Sequence, residues 1–221
     1  MAHSHYFCTF HPLVENAAGR EAIRTHGLPP FIDGSCRREP DFQAVVPSIS
    51  ALCRGRNFAP RLWPGDRVAY VSVRRKYGSD VGWALVALLT VEQRFECHEA
   101  AAGWYLEQGL ALPSNCMVGG NEPQAYDRTH QNPGPEVKAR VNAKTNPSRA
   151  LHLWNAAYAA RASYCGIFLV CRADFLELWR PHILSRSEIK SVFGRIPVTQ
   201  TPPKITPPQF ARLRGYTGRA D

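Results

Sequence analysis

The segment from residue 48 to residue 95 constrains the fold of this chain more than any other. Three stretches in it have the β-branched and aromatic composition of strands, at residues 49–53, 67–73 and 81–95. They are separated by an arginine-rich loop, by a Trp-Pro-Gly-Asp turn at residues 63–66 and by a Gly-containing bend, which are typical strand connections. The order predicts a small β-barrel whose entrance carries cations and aromatic rings together.

Further elements follow from hydrophobic spacing and from Gly, Pro and Ser at their ends. Strands are predicted at residues 5–10 and 166–172, and helices at residues 15–26, 96–109, 148–162 and 185–193, with Ser148 as the N-cap of the third helix. Together these elements predict an α+β fold with a mixed or antiparallel sheet.

The chain divides into a single domain at residues 1–184 and a C-terminal extension at residues 185–221. Residues 112–147 lack periodicity and are rich in Asn, Gly and Pro, which predicts a loop-rich insertion in the domain. The extension is predicted to hold a short helix and then a proline-rich tail in extended polyproline conformation.

Arginine dominates the positive charge of the chain. Of the 27 basic residues 22 are arginine, and the net charge is +9. A GC-rich genome would supply part of this excess, and a basic surface without a partner remains an alternative. Because the planar guanidinium grips phosphate and stacks on bases, the preferred interpretation is a nucleic-acid partner, DNA or RNA.

Seven cysteines are scattered along the chain with no Cys-x-x-Cys pair. This pattern is typical of thiols in a reducing compartment and gives no zinc spacing, so we expect no disulfide, metal or cofactor. The sequence has no apolar signal core and no stretch that would span a membrane, so we expect a cytoplasmic protein without a membrane partner.

The loop at residues 54–63 combines cations with aromatic rings. Arg54, Arg56 and Arg61 are candidates for phosphate contacts, Asn57 can present its amide to a base edge, and Phe58 and Trp63 offer stacking faces. Trp83 follows Gly82 at the start of a strand and is a further candidate. The alternative is a surface loop whose Phe58, Leu62 and Trp63 plug the bottom of the barrel.

The stretch from Arg56-Asn57-Phe58 through Pro64-Gly65-Asp66-Arg67-Val68 to Tyr70, followed by Gly82-Trp83-Ala84, resembles the EVE branch of the PUA-like superfamily. It is also similar to ASCH domains and to nucleotide-modification-associated (Nmad) domains. The resemblance implies a mixed β pseudo-barrel with surrounding helices. It also implies RNA or modified DNA bases as ligands.

A second cluster, at residues 33–42, contains carboxylates, arginines and a thiol. Arg37 and Arg38 are candidates for contacts to the nucleic-acid backbone, while Asp33 or Asp41 would accept a hydrogen bond from an exocyclic amine. A salt-bridged surface loop is the alternative. A third interpretation gives Asp33, Glu39 and Asp41 a catalytic Mg²⁺ ion.

These patterns favour a non-enzymatic binder that recognises a modified or flipped base, acting alone or with a partner modification or restriction enzyme. The alternatives are a metal-dependent modification or restriction enzyme that uses the 33–41 carboxylates, and a protein-interaction module that uses residues 196–221. The preferred function requires the cations and rings between residues 54 and 83 to converge on one hollow.

Overall fold

The computed structural model describes residues 3–130 and 146–218. The predicted α+β class is confirmed, since eight strands form one mixed sheet with helices packed against it. The strands are β1 (His5–Phe10), β2 (Ser48–Ser50), β3 (Arg67–Ser72), β4 (Arg75–Tyr77), β5 (Asp80–Phe95), β6 (Phe168–Leu176), β7 (Ile183–Leu184) and β8 (Lys204–Ile205). The α-helices described are α1 (Ala17–His26), α2 (His98–Glu107), α3 (Pro147–Tyr164), α4 (Arg186–Phe193) and α5 (Pro207–Gly215).

The main path of the sheet has the order β2-β6-β5-β3-β1-β8, and β4 and β7 pair with β5 beside this path. β1 and β3 run parallel, with His5 opposite Arg67 and Phe10 opposite Ser72. All other pairings are antiparallel. Among the described strands, the sheet is not closed into a barrel, because the short strands β2 and β8 lie at opposite ends. The predicted pseudo-barrel is therefore corrected to an open sheet.

The sheet carries a hydrophobic cluster on each face, as the alternation of β1 requires. Tyr6, Cys8 and Phe10 belong to the first cluster, which residues 31–62 cover. Phe7 belongs to the second cluster, which contains residues of α4 and α5. Both faces of the sheet are therefore buried, and side chains on successive residues of one strand lie in different environments.

The C-terminal tail is part of this architecture. Lys204 and Ile205 add β8 beside β1, and α5 buries Phe210 and Leu213 against the second face. The prediction of an extended proline-rich tail is wrong for residues 207–215. Proline is accommodated in the first turn of a helix because the amide groups there have no partner within the helix.

The four helices that the sequence predicts are present as α1 to α4, and one predicted cap differs. Asn146, not Ser148, is the N-cap of α3, and its side chain accepts a hydrogen bond from the amide of Arg149. In the predicted loop-rich insertion, residues 112–130 are irregular apart from a short 3-10 turn, Tyr126–Arg128. Residues 131–145 of that insertion lie outside the described residues.

All seven cysteines are free thiols. None of the described helices combines the length and the apolar character needed to cross a membrane.

Candidate functional site

A cavity of about 200 Å³ lies where the end of β1 meets the 33–40 segment, residues 50–58 and α3. A closed cavity of about 150 Å³ holds a benzene ring, so this cavity has room for one heterocyclic ring. We call it the ring pocket. Its lining residues are Cys8, Thr9, Phe10, His11, Asp33, Ser35, Glu39, Pro40, Ser50, Cys53, Arg54, Phe58, Tyr70, His130 and Tyr158.

Aromatic rings form one wall of the ring pocket. The alternation of β1 and β3 directs Phe10 and Tyr70 to the same face of the sheet, and Phe58 from the arginine-rich loop packs beside them. The centroid of the Tyr70 ring lies 6.4 Å from the centroids of both Phe10 and Phe58, in edge-to-face geometry. Such packed rings give a rigid apolar surface to one side of a ligand.

Asp33 supplies a buried acceptor on the polar side of the pocket. Its Oδ1 atom accepts hydrogen bonds from the Ser35 amide at 2.9 Å, the Ser35 hydroxyl and the Glu39 amide at 3.1 Å. No described residue donates to Oδ2. Burial raises the pKa of this carboxyl, and the three donors on Oδ1 oppose that shift. Asp33 Oδ2 is the side-chain oxygen that remains for a ligand.

Glu39 is also buried, but its oxygens are occupied. Oε1 accepts from the Ser50 amide at 2.9 Å, and Oε2 accepts from the Ser50 hydroxyl at 2.5 Å and from Asn115 Nδ2 at 2.9 Å. Burial raises the pKa of Glu39 to about 8 in spite of these donors. Glu39 therefore ties β2 to the loop that contains Asn115.

Arg54 is the cation of the ring pocket. Its Nη2 donates to the Thr9 carbonyl at 2.6 Å, and Nη1 donates to the carbonyls of Gln200 at 2.8 Å and Thr199 at 3.1 Å. Burial raises the pKa of the adjacent Cys8 thiol to about 11, although Arg54 opposes the shift. Cys8 is therefore a thiol at neutral pH and not an activated nucleophile.

Two histidines line the pocket with different environments. His11 Nδ1 lies 2.6 Å from Glu15 Oε2, and this hydrogen bond raises the pKa of the imidazole. Burial lowers the pKa of His130 to about 4, so it is neutral at pH 7. The His130 ring packs on Gly34, where a Cβ atom would lie 2.1 Å from it. Gly34 thus lets the 33–35 turn approach residue 130.

Arg37 and Arg38 do not face the surface. Arg37 donates to Asn155 Oδ1 at 2.7 Å and to the carbonyls of Asn121 and Ser114 at 2.8 and 3.1 Å. Arg38 donates to the Asp33 carbonyl at 2.7 Å and to the Arg128 carbonyl at 2.6 Å. Only 3% and 1% of these side chains are exposed, so neither is accessible for the backbone contacts predicted from the sequence.

Trp83 lies away from the ring pocket. It belongs to the hydrophobic cluster on the second sheet face, whereas Phe58 belongs to the first. The Arg74 guanidinium lies 5.6 Å from its ring centroid. Trp83 therefore packs between the sheet and the helices of the second face.

The other candidates from the arginine-rich loop are exposed and do not line the pocket. Arg56, Asn57 and Arg61 are on the surface, and Trp63 is 60% exposed. The Arg94 guanidinium lies 4.5 Å from the Trp63 ring centroid and covers one of its faces. Thus only Arg54 and Phe58, among the nine residues proposed from the sequence, line the ring pocket. The expected convergence on one hollow does not occur.

The three carboxylates of the 33–41 segment do not converge either. Asp41 accepts through Oδ1 from the amides of Gln43 and Ala44, and through Oδ2 from the amide and hydroxyl of Ser114. The described residues contain no group of three His, Cys, Asp or Glu side chains placed to hold a metal ion. These carboxylates organise the loop around the pocket.

Sequence reasoning overlooked several lining residues, namely Thr9, Phe10, His11, Tyr70, His130 and Tyr158. For β1 a signal was present, because alternation places Cys8 and Phe10 on one face and the strand ends at the pocket. Tyr158 and His130 reach the pocket from elements distant in sequence, and no local pattern indicated this.

Comparison of the chain with protein-family models, with curated proteins and with solved structures finds no match. The resemblance to the PUA-like superfamily therefore stays a prediction.

Proposed function

We propose that the protein binds nucleic acid without catalysing a reaction and holds one flipped or modified base in the ring pocket. The observation that carries this proposal is Asp33, which lines a cavity with an aromatic wall and whose Oδ2 accepts no hydrogen bond from a described residue. A base offers a flat face to such a wall and hydrogen-bonding groups at its edge. Because an acceptor pairs with an amine, the preferred ligand is a base with an exocyclic amino group.

The charge of the chain supports the same proposal. Its net charge of +9 favours association with a polyanion, and that contribution weakens as the salt concentration rises. Extruding a base costs a few kcal/mol, and a stacking wall recovers about 1–3 kcal/mol per base, so phosphate contacts supply the rest. We place this activity in the cytoplasm, in keeping with the free thiols.

A binding assay with paired oligonucleotides tests this function. The two strands differ at one position, which carries a cytosine or an abasic sugar. The protein is expected to bind the cytosine strand at least about tenfold more tightly, a difference of about 1.4 kcal/mol. Equal affinity for the two strands, or no binding at low salt, would refute the proposal.

The same oligonucleotides address the metal-dependent alternative. Incubation with and without Mg²⁺ should leave them unchanged in length and mass if the protein only binds. A product that requires Mg²⁺ and disappears in Asp33→Ala and Asp41→Ala would instead establish a modification or restriction enzyme that uses the 33–41 carboxylates.

A further inference from the structure

An open groove of about 640 Å³ lies between the start of α1, the β4–β5 hairpin and the segment that precedes β7. We call it the basic groove. Three cations line it, Arg20, Lys76 and Arg180, together with the rings of Phe31 and Tyr77. Among the described residues, Asp80 is the one carboxylate in this lining. The groove therefore has a positive excess beside an aromatic surface.

The cations of the groove are available to a ligand. Arg20, Lys76 and Arg180 are all exposed. The side chains of Lys76 and Arg180 form no salt bridge or hydrogen bond with a described residue, although the backbone amide of Arg180 donates to Glu177 Oε1 at 3.0 Å. Arg20 donates through Nη1 to the carbonyls of Val14 and Glu15, which fixes its position and leaves its other donors unused.

The aromatic part of the groove is rigid. The rings of Phe31 and Tyr77 pack edge to face with centroids 5.3 Å apart, and the Tyr77 hydroxyl donates to the Val73 carbonyl at 2.7 Å. Trp179 precedes the groove residue Arg180 and is 55% exposed. A surface that tracks a single-stranded backbone usually combines cations with aromatic rings. Here the two rings that line the groove are largely buried, and the exposed ring of Trp179 lies next to it in the sequence.

The basic groove connects to the ring pocket through a chain of side chains. His11 lines the pocket and contacts Glu15, and Arg75 Nη2 lies 2.7 Å from the other Glu15 oxygen. Arg75 precedes Lys76 of the groove on β4. Both sites therefore lie toward the C-terminal end of β1, where His11 follows Phe10.

The exposed Trp63 lies elsewhere. Trp63 precedes the start of β3, where Arg67 pairs with His5, at the opposite end of β1 from the pocket. The basic groove, and not the surface around Trp63, therefore lies toward the end of β1 that lines the ring pocket.

We infer that the basic groove binds the phosphodiester backbone of a single-stranded nucleic acid that flanks the base held in the ring pocket. This inference rests on the proposed function and adds the path of the strand. The recognised chemistry is a chain of successive phosphates, which would pair with the exposed cations Arg20, Lys76 and Arg180. A free phosphate can occupy only one of them.

The test measures how the affinity for a fluorescent single strand of about 12 nucleotides depends on salt between about 50 and 200 mM. The variant Arg20→Gln/Lys76→Gln/Arg180→Gln removes the three cations. Each phosphate contact to a single strand contributes about 0.7 to the magnitude of the negative slope of log K against log salt. Removal of three cations should therefore reduce that magnitude by about 2. The double variant Lys76→Gln/Arg180→Gln keeps the Arg20 hydrogen bonds and should lower it by about 1.4.

The matched control is Arg149→Gln/Lys190→Gln/Arg195→Gln, which removes the same three charges from exposed positions outside the groove lining. It should leave the slope unchanged. An equal fall in this control would show that only net charge matters and would overturn the inference. Inorganic phosphate at matched ionic strength should not displace the strand, and displacement would also contradict it.

The outcomes separate this inference from the proposed function. If the wild-type protein binds no strand, both fail. If it binds and prefers the cytosine strand over the abasic strand, but the groove variants keep the wild-type slope, the base pocket stands and the backbone path is wrong. If the groove variants lower the slope while base preference is absent, the groove stands as a polyanion site and the base pocket fails.

Discussion

Arg54 Nη2 donates to the carbonyl oxygen of Thr9 over 2.6 Å, at a point where β1 runs into the ring pocket. This contact joins the arginine-rich loop to the strand that contributes most to the pocket wall. The same guanidinium holds the tail through Gln200. The cation at the pocket is thereby fixed by carbonyl groups of two other segments, β1 and the tail, before any ligand arrives, and this preorganisation reduces the entropy lost on binding.

Arg37 is predicted to stabilise the fold and not to bind nucleic acid. Arg37→Leu leaves the carbonyls of Ser114 and Asn121 and the side chain of Asn155 without their donor. We expect the free energy of unfolding to fall by about 3 kcal/mol, measured by urea denaturation. Arg56→Leu, at an exposed position of the neighbouring loop, should change it by less than about 0.5 kcal/mol. Similar losses in the two variants would contradict the buried role of Arg37.

Glu39 is predicted to make stability depend on pH between 6 and 8. Burial raises its pKa to about 8 from the ordinary value of 4.5, so the folded protein keeps a proton that the unfolded chain has released. The group's contribution to the unfolding free energy therefore falls by about 2 kcal/mol as the pH rises from 6 to 8. Glu39→Gln removes this titration, so the wild type should lose more stability than the variant across that window. Parallel curves would show that Glu39 is already ionised at pH 6.

The two tryptophans flagged in the sequence should differ in their effect on stability. Trp83→Ala empties a buried position in the second cluster and should reduce the free energy of unfolding by about 3–5 kcal/mol. Trp63→Ala removes an exposed ring that contacts Arg94, and should cost at most about 1 kcal/mol. Thermal and urea unfolding of both variants measure this difference. If Trp63→Ala lowered the free energy of unfolding more than Trp83→Ala does, the Trp63 ring would have to be part of the hydrophobic core.

The tail is predicted to be required for folding. Leu213→Ala should reduce stability by about 2–5 kcal/mol, because Leu213 is fully buried against the second sheet face. Arg195→Ala, on the surface between α4 and β8, serves as the control. If deletion of residues 196–221 left stability unchanged and removed only a protein partner, the tail would instead be a separate interaction module.

The strands and helices could be predicted because their signals are local. Alternation indicated β1 and β3, while Gly27 after α1 and the Ser185–Glu188 capping box of α4 marked helix ends. The tail helix carries the same kind of signal, a Thr206–Gln209 capping box, which the abundance of proline obscured.

The site could be predicted only in part, because its residues come from distant segments. An arginine side chain can bind a phosphate or donate to buried backbone carbonyls, and its sequence context does not distinguish the two. The sequence therefore does not show that Arg37 donates to the carbonyls of Ser114 and Asn121. Arg54 and Phe58, two of the candidates, line the ring pocket because their loop follows β2 directly. Trp83 lies on the sheet face opposite the ring pocket. Which face it occupies depends on the register of β5, and the sequence pattern does not determine that register.

The most direct test of the central claim exchanges the acceptor at Asp33 for a donor. Asp33→Asn keeps an oxygen for the Ser35 and Glu39 donors and places an amide NH₂ where Oδ2 lies. The measurement is the ratio of affinities for strands that carry cytosine or uracil at one position. We predict that the wild type prefers cytosine, that Asp33→Asn reverses the preference by about tenfold or more, and that Glu107→Gln on the exposed side of α2 leaves it unchanged. An unchanged ratio in Asp33→Asn would contradict the assignment of the ring pocket as a base-recognition site.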